Sequence, residues 1–356
     1  MALTVEQLVE AGAIGGRTVQ IVAGGDVECA RYSVPRATAG QVVIRTVRSA
    51  ISPGTEMTLY GRQATNVYLH KAWDDDLRLF RQGSPTVAYP LTFGYRAVGE
   101  VVESGDEGLP VGTRVYGNWR HTEFVRYPVA AARAQLLPAG LSWDDGVDLG
   151  QVGPIGVNAV AHADGASDSG PAVVFGAGLI GLITAQIVSA AGASPVHVVD
   201  RLANRLDIAA RLGLVPVDAT RTADVAYSLK STYGADAFGA AFDCTGSTHA
   251  LHEAIRVVRR AGRVVAVGFY QGEARGLYLG DEFHHNGVQL VCGQIGNIHP
   301  AWDWAALRRR TVELALERRL VLGGLPRLTR PVDQVAEAFR ALQRPAEVLQ
   351  VALSYE

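Results

Sequence analysis

Residues 176–181 read Gly-Ala-Gly-Leu-Ile-Gly, directly after the apolar run Pro-Ala-Val-Val-Phe at 171–175. Glycines at this spacing between a strand and a helix do three different jobs. Gly176 allows a tight turn, Gly178 lets backbone approach a pyrophosphate, and Gly181 lets the helix pack on the strand. The amides around Leu179 and Ile180 open that helix, where unpaired N–H groups and a partial positive charge favour phosphate. Asp200 ends the run Val-His-Val-Val-Asp, 19 residues beyond Gly181. A carboxylate there can accept hydrogen bonds from both ribose hydroxyls of an adenosine and repel a 2′-phosphate. The chemistry implied is binding of NAD in preference to NADP. Arg201 follows directly and can tolerate a phosphate, so NADP stays open, as does a Rossmann-like sheet binding another nucleotide such as S-adenosylmethionine.

Positioning such a site takes alternating strands and helices. From about Gly156 the expected strands are Pro171–Phe175, Val196–Val199, Gly239–Phe242, Gly262–Gly268 and Val288–Cys292. The expected helices are Leu179–Ala191, Leu202–Leu212 and Thr248–Arg259. This alternation predicts βαβ units and a parallel sheet with helices on both faces. Ligands of such sheets bind outside the carboxyl ends of the strands, which adds Cys244, Thr245, Gly268 and Phe269 as cofactor contacts. Cys244 itself reads as a small core residue. After Gly296 a helix at Trp302–Glu317, a short strand and a helix starting near Val332 are expected. Ahead of the alternating region, short β-branched runs at Thr18–Val22, Gln41–Val47, Ala97–Glu103 and Arg114–Tyr116 predict β structure. The charged stretch Tyr68–Gly83 reads as a short helix on a long excursion, either a lid or substrate wall or a solvated insert.

Composition narrows the function classes. The 356 residues are 48% apolar and 19% charged, enough for a large core. Lys+Arg at 33 and Asp+Glu at 35 nearly cancel, which argues against a nucleic-acid partner or a polybasic membrane anchor. No uninterrupted apolar run reaches the roughly 20 residues that span a bilayer. The opening MALTVEQLVEAG lacks a basic segment followed by an apolar one, so no signal peptide is expected. The three cysteines, Cys29, Cys244 and Cys292, are far apart and form no Cys-x-x-Cys pair, which predicts neither a Cys-rich zinc site nor a disulfide framework and suits a reducing, cytoplasmic setting.

Four segments in order, Ala50–Glu56 (AISPGTE), Leu91–Gly105 (LTFGYRAVGEVVESG), Val173–Gln186 (VVFGAGLIGLITAQ) and Gly262–Phe269 (GRVVAVGF), resemble the medium-chain dehydrogenase/reductases of the alcohol dehydrogenase superfamily. The resemblance spans nearly the whole chain. It implies an α/β protein with a GroES-like β-rich catalytic domain built from residues 1–153 and 297–356. A Rossmann doubly wound parallel sheet at 154–296 would sit between them in sequence, with the active site in the cleft. It also implies a homodimer, formed by pairing of the edge strand Val288–Cys292 across a two-fold.

The departures from that family concern zinc. Where zinc-dependent members place a Cys, this chain has Ser52-Pro53; where they place a His, it has Gly94-Tyr95-Arg96; where they often place a Glu, it has Gly153-Pro154. A catalytic zinc needs about three N, S or O ligands, and the four-Cys structural lobe is missing as well. No metal is expected. The adjacent His284-His285 point oppositely near a strand and read as surface or hydrogen-bonded residues.

Without zinc, the charge that develops on a reacting oxygen needs positioned hydrogen-bond donors and a general acid/base. The resemblance places Tyr95 at a ligand position, Thr55 at the family's proton-relaying hydroxyl and Glu56 at a second acidic position. Tyr95 would need a nearby cation to act as a base, for which Lys71, His70, Arg96 and His121 are the candidates. Tyr95 can equally fill the space that a zinc site vacates. Glu56 is either a general base or the partner of an Arg such as Arg96, and Ser52-Pro53-Gly54 also reads as a plain turn. Trp73 and Trp119 are candidate pocket walls. The expected function is a zinc-independent NAD(H)-dependent interconversion of a secondary alcohol and a ketone on a polyhydroxylated small molecule, sugar- or cyclitol-like. The SPGTE run also resembles bacteriochlorophyllide dehydrogenases, which keeps a large ring substrate open. A zinc-free NADPH-dependent quinone or enoyl reductase and a non-catalytic dinucleotide sensor are the alternatives.

Overall fold

The computed structural model describes residues 12–356; the N-terminal segment read for a signal peptide lies almost wholly outside them. The chain forms two compact units, Met1–Gln151 with Pro326–Glu356, and Val152–Leu325. The second unit therefore continues well past the expected boundary at 297. The helix Trp304–Leu316 packs on the helix Val152–Ala161. A Cβ on Gly153 would meet the Thr311 methyl at 2.1 Å, so glycine is what lets these helices approach.

The first unit is β-rich. Its larger sheet runs Leu328–Pro331, Val351–Ser354, Gln41–Ile51, Ala97–Ser104, Arg114–Gly117, with Phe124–Pro128 also paired to Gln41–Ile51. A smaller antiparallel sheet joins Val27–Val34, Ile14–Ile21 and Leu91–Thr92. Val27–Val34 and Val351–Ser354 escaped the sequence reading. The first is an edge strand carrying Glu28 and Arg31, and the second is only four residues long. Two apolar clusters fill the unit, one around Ile21, Ile51, Phe339 and Leu353, the other around Ile44, Val101, Val115 and Trp119.

Trp119 is core, not a pocket wall: its indole N–H donates to Thr46 Oγ1 at 2.9 Å, and Thr46 Oγ1 donates to the Thr122 carbonyl. Replacing Thr46 by valine keeps the shape and removes both bonds. We expect a loss of about 1–3 kcal/mol in chemical denaturation, because a buried donor is left unsatisfied.

The excursion at Tyr68–Gly83 is not a helix. After a single turn at Val67–Leu69 it forms a hairpin, Ala72–Asp74 against Leu79–Arg81. Trp73 faces Phe80 across it with ring centroids 4.8 Å apart, and Tyr68 meets Phe80 at 5.2 Å. Aromatic cross-strand pairs reward extended backbone, and this tertiary gain outweighs the helical tendency of the charged residues.

The second unit holds a six-stranded parallel sheet ordered Val215–Asp218, Val196–Asp200, Ala172–Phe175, Ala240–Asp243, Arg263–Ala266, Gln289–Cys292. The order reverses between Ala172–Phe175 and Ala240–Asp243, the point where such sheets bind dinucleotides. Val173 and Phe175 pack on the helices Val225–Tyr233 and Thr248–Val257, and the alternate residues Ala172 and Val174 turn to the other face. Val215–Asp218 was missed because Pro216 argues against a strand. The structure tolerates it at the sheet edge. His284 and His285 sit in a one-turn helix, not beside a strand, and are exposed.

Candidate active site

In the second unit the glycine loop leaves the strand Ala172–Phe175 with Gly176 at φ +97°. A Cβ on Gly181 would lie 1.7 Å from the Gly176 carbonyl oxygen, so only glycine permits the helix to start there. Gly178 caps the helix Leu179–Ala191 with no side-chain hydrogen bond. The first amides, at Leu179 and Ile180, are thus left for an anion. This open cradle fits the pyrophosphate of a dinucleotide.

Asp200 is fixed by backbone donors. Its Oδ2 accepts the Ala177 N–H at 2.6 Å, and its Oδ1 accepts those of Arg201 at 2.7 Å and Leu202 at 2.9 Å. The carboxylate thereby ties the end of its strand to the glycine loop. Arg201 is exposed.

Arg205, which the sequence reading passed over, lies closer to the loop. Its guanidinium is the nearest group to Gly178, 3.7 Å from where a Cβ would be, and its Nε is buried without a partner. Its signal was positional, one helical turn into the helix Ala203–Arg211 that follows Asp200.

The next two strand ends meet closely. A Cβ on Gly268 would approach the Gly246 nitrogen to 2.2 Å, and Phe269 backbone lies against Gly246. Thr245 packs on Gly176 and its hydroxyl donates to Asp243 Oδ1 at 2.6 Å. Tyr270, also unforeseen, donates to Asp243 Oδ2. Burial pushes the Asp243 carboxyl up and pushes the Cys244 thiol up more strongly, which leaves Cys244 a packed thiol rather than a nucleophile.

In the first unit the turn Ser52-Pro53-Gly54-Thr55 ends the strand Gln41–Ile51 and enters a single helical turn, Glu56–Thr58, closed by the Glu56 N–H to the Ser52 carbonyl at 2.9 Å. The turn brings the Ser52 and Thr55 side chains beside the Tyr95 hydroxyl, where both favour its ionised form. Burial, helped by the negative charge of Glu56, holds the Tyr95 phenol above its ordinary value; the Ser52 and Thr55 hydrogen bonds and Arg96 only partly oppose this. The expected activating cation does not prevail. Lys71 and His70 are exposed on the excursion, with His70 Nε2 bound to the Ala64 carbonyl at 2.8 Å. The Tyr95 phenol is therefore held in its neutral form.

Glu56 is 1% exposed and does not pair with Arg96. Its Oε2 accepts the Ser52 N–H at 3.1 Å and meets His121 Nε2 at 3.0 Å, while Oε1 is buried without a partner. His121 is thus committed to Glu56 rather than to Tyr95. Gly94 makes the fit possible: at φ +113°, a Cβ would stand 2.6 Å from the His121 nitrogen. Arg96 instead binds Asp148, the Gln350 Oε1 at 3.2 Å and the Ile51 carbonyl at 3.2 Å. Asp148 also takes Arg327 at 2.8 Å.

Zinc does not fit the positions that the family resemblance assigns to its ligands. Pro53 has no donor atom, and burial holds the Tyr95 phenol protonated. Gly153 has no room for a side chain. Glu56 and His121 supply two ligand atoms, bonded to one another and short of the roughly three required. Among the described residues, one grouping of three ligand types lies within 4.8 Å, namely His252, Asp281 and Glu282 in the second unit, where Glu282 is held by Arg256 at 3.3 Å.

A family profile described as "Zinc-binding dehydrogenase" matches residues 180–306, a stretch that contains none of the positions 53, 95 and 153. D-guloside 3-dehydrogenase of Escherichia coli (strain K12) is 28% identical over 297 residues, covering 78% of this chain and 82% of that protein. L-galactonate-5-dehydrogenase of the same organism is 33% identical over 174 residues, 48% of each chain. The crystal structure of 2R,3R-butanediol dehydrogenase from Bacillus subtilis superposes with a TM-score of 0.77 at 21% identity, over 96% of this chain and 100% of that one.

Proposed function

Since the chain belongs to the medium-chain dehydrogenase/reductase family of the alcohol dehydrogenase superfamily and is an oxidoreductase that interconverts alcohols and ketones, we propose that its substrate is a secondary alcohol of a polyhydroxylated small molecule, sugar- or cyclitol-like, oxidised with NAD and without zinc. The observation that carries this reading is the grouping of the Tyr95, Ser52 and Thr55 hydroxyls with buried Glu56, in the two segments where the family resemblance would put metal ligands. The relatives named for a guloside and for galactonate support a polyhydroxylated substrate.

Gly176, Gly178, Gly181 and the Leu179 and Ile180 amides would hold the pyrophosphate of the dinucleotide, with Arg205 alongside. Asp200 would receive the adenosine ribose, and Thr245 and the Gly268–Phe269 loop would line the nicotinamide end. When bound, the dinucleotide supplies the hydride acceptor or donor. The neutral Tyr95 phenol donates to the substrate oxygen and stabilises its developing charge, as a fixed donor does in an oxyanion hole. Thr55 shares that oxygen and passes its proton toward Glu56, the acid/base nearest the cluster.

Asp200 favours NAD because a carboxylate at the ribose opposes a 2′-phosphate. Asp200→Ala is expected to narrow the NAD-over-NADP preference in kcat/KM by about tenfold, or about 1.4 kcal/mol, with Arg201 and Arg205 left to receive the phosphate. Trp fluorescence quenching by NADH and NADPH checks the same change in binding. A preference unchanged by the substitution would refute the assigned role.

The whole reading is tested by screening sugars, glycosides and cyclitols for NAD-dependent oxidation together with metal analysis. Activity that tracks stoichiometric zinc would overturn it. The three cysteines are unpaired, which supports a reducing, cytoplasmic setting, and no helix of the described residues is long and apolar enough to cross a membrane. Gln289–Cys292 is the sheet's edge strand, which supports a homodimer paired along it, with light scattering as the check.

A further inference from the structure

Behind the hydroxyl cluster the buried polar groups continue in a line. Glu56 Oε2 lies 3.0 Å from His121 Nε2, His121 Nδ1 lies 2.8 Å from Ser49 Oγ, and Ser49 Oγ lies 2.9 Å from the Tyr355 hydroxyl. All four residues are buried. Ser49 sits on the strand Gln41–Ile51 opposite Leu353, and Tyr355 follows two residues later on the adjoining chain. The pairing of the strands Gln41–Ile51 and Val351–Ser354 therefore sets the spacing.

One assignment of hydrogens fills the line with nothing left over. An ionised Glu56 brings no hydrogen, so His121 Nε2–H donates to it. The bare Nδ1 then accepts the Ser49 hydroxyl, and Ser49 Oγ accepts the Tyr355 hydroxyl. Two places remain for one more proton. Glu56 Oε1 is buried and unpartnered, on a carboxylate whose charge acts on the Tyr95 hydroxyl. His121 Nδ1 can also be protonated, provided that Ser49 turns to accept from it and donates onward to Tyr355. Only a hydroxyl, both donor and acceptor, can make that turn.

Resting on the dehydrogenase reading above, we propose that Glu56 and His121 together store the proton that leaves the substrate hydroxyl, and that Ser49 and Tyr355 are positioning residues that let His121 hold it. In alcohol oxidation the O–H bond of the substrate breaks and its proton passes by way of Thr55 to the Glu56–His121 pair. The electron pair of the carbinol C–H bond leaves as hydride to the bound dinucleotide. Reduction returns both. The other groups facing this line are Arg96, which acts on Tyr95, the Phe93 ring edge-on to His121 at 5.3 Å, and Tyr32, Cys29 and Glu123 around Tyr355.

Two measurements decide the proposal. Nitrogen NMR of histidine-labelled protein is expected to show hydrogen on His121 Nε2 facing Glu56, and a shift at Nδ1 in Ser49→Ala. A ring already carrying hydrogen on both nitrogens in the resting protein leaves His121 no place to take the proton up and overturns the proposal whether or not any substrate is turned over. In turnover, Ser49→Ala and Tyr355→Phe are expected to lower kcat about tenfold to a hundredfold, at the low end of acid–base contributions. They should also displace the pH limb of kcat and leave the KM for NAD unchanged, while Ser49→Thr restores the wild-type profile. Wild-type pH profiles in both variants overturn the store. No turnover by the wild-type protein overturns the parent reading, and the proposal falls with it.

Discussion

Replacing Tyr95 by phenylalanine is expected to lower kcat/KM by about 10²–10³-fold, the loss typical of removing one fixed donor to a developing oxyanion. The substitution deletes only the hydroxyl that Ser52 and Thr55 surround. The ring stays, and so should the thermal midpoint and the affinity for NADH, since the dinucleotide cradle lies in the other unit. The fall should appear in kcat rather than KM, because the interaction strengthens as charge develops. The phenol's raised value adds a pH prediction with a definite sign. The protonated form is the active one, and burial beside Glu56 holds it protonated beyond the ordinary value of about 10. The kcat/KM profile should therefore show no loss attributable to Tyr95 ionisation up to about pH 10. An alkaline loss below that pH which vanishes in the phenylalanine variant would identify Tyr95 as an ionising base and refute its role as a neutral donor.

Asp148→Ala is expected to cost about 3–5 kcal/mol of folding stability, the range for breaking a buried ion pair by removing one partner. Asp148 is fully buried and receives both Arg96 and Arg327. Its loss leaves Arg96 as a buried cation with only the Gln350 amide oxygen and the Ile51 carbonyl. Arg96→Met should cost less, because Asp148 then keeps Arg327 as counter-charge and methionine fills most of the space. Denaturant titration reads both as shifts of midpoint at constant slope. The reverse ranking, Arg96→Met worse than Asp148→Ala, would show that packing of the arginine stem governs this cluster and not its charge.

The dinucleotide unit was legible in the sequence because its signals are local. Gly176 and Gly181 must be glycine for reasons confined to one turn, and the apolar runs at 172–175 and 240–242 are buried strands by composition alone. The strand Val215–Asp218 was hidden by Pro216, whose tolerance depends on lying at the sheet edge. The far boundary of this unit was misplaced for a similar reason, since only the packing of Thr311 on Gly153 shows where the helix Trp304–Leu316 belongs.

The other unit illustrates the opposite case. Tyr95, Thr55 and Glu56 could be nominated from two short motifs, but their partners could not. Lys71, Arg96 and His121 stood as equal candidates for one role, and the structure sends them to three different places. Lys71 goes to an exposed excursion, Arg96 to Asp148, and His121 to Glu56. Ser49 and Tyr355 are 306 residues apart, and no periodicity relates them. Local sequence determined the backbone geometry, the glycine cradle and the residue types at 53, 95 and 153, because those follow from the chemistry of single residues and their neighbours. Which charges pair, which phenol stays neutral and which hydroxyls meet an imidazole were decided only by tertiary structure, because burial and the register of distant strands set those energies.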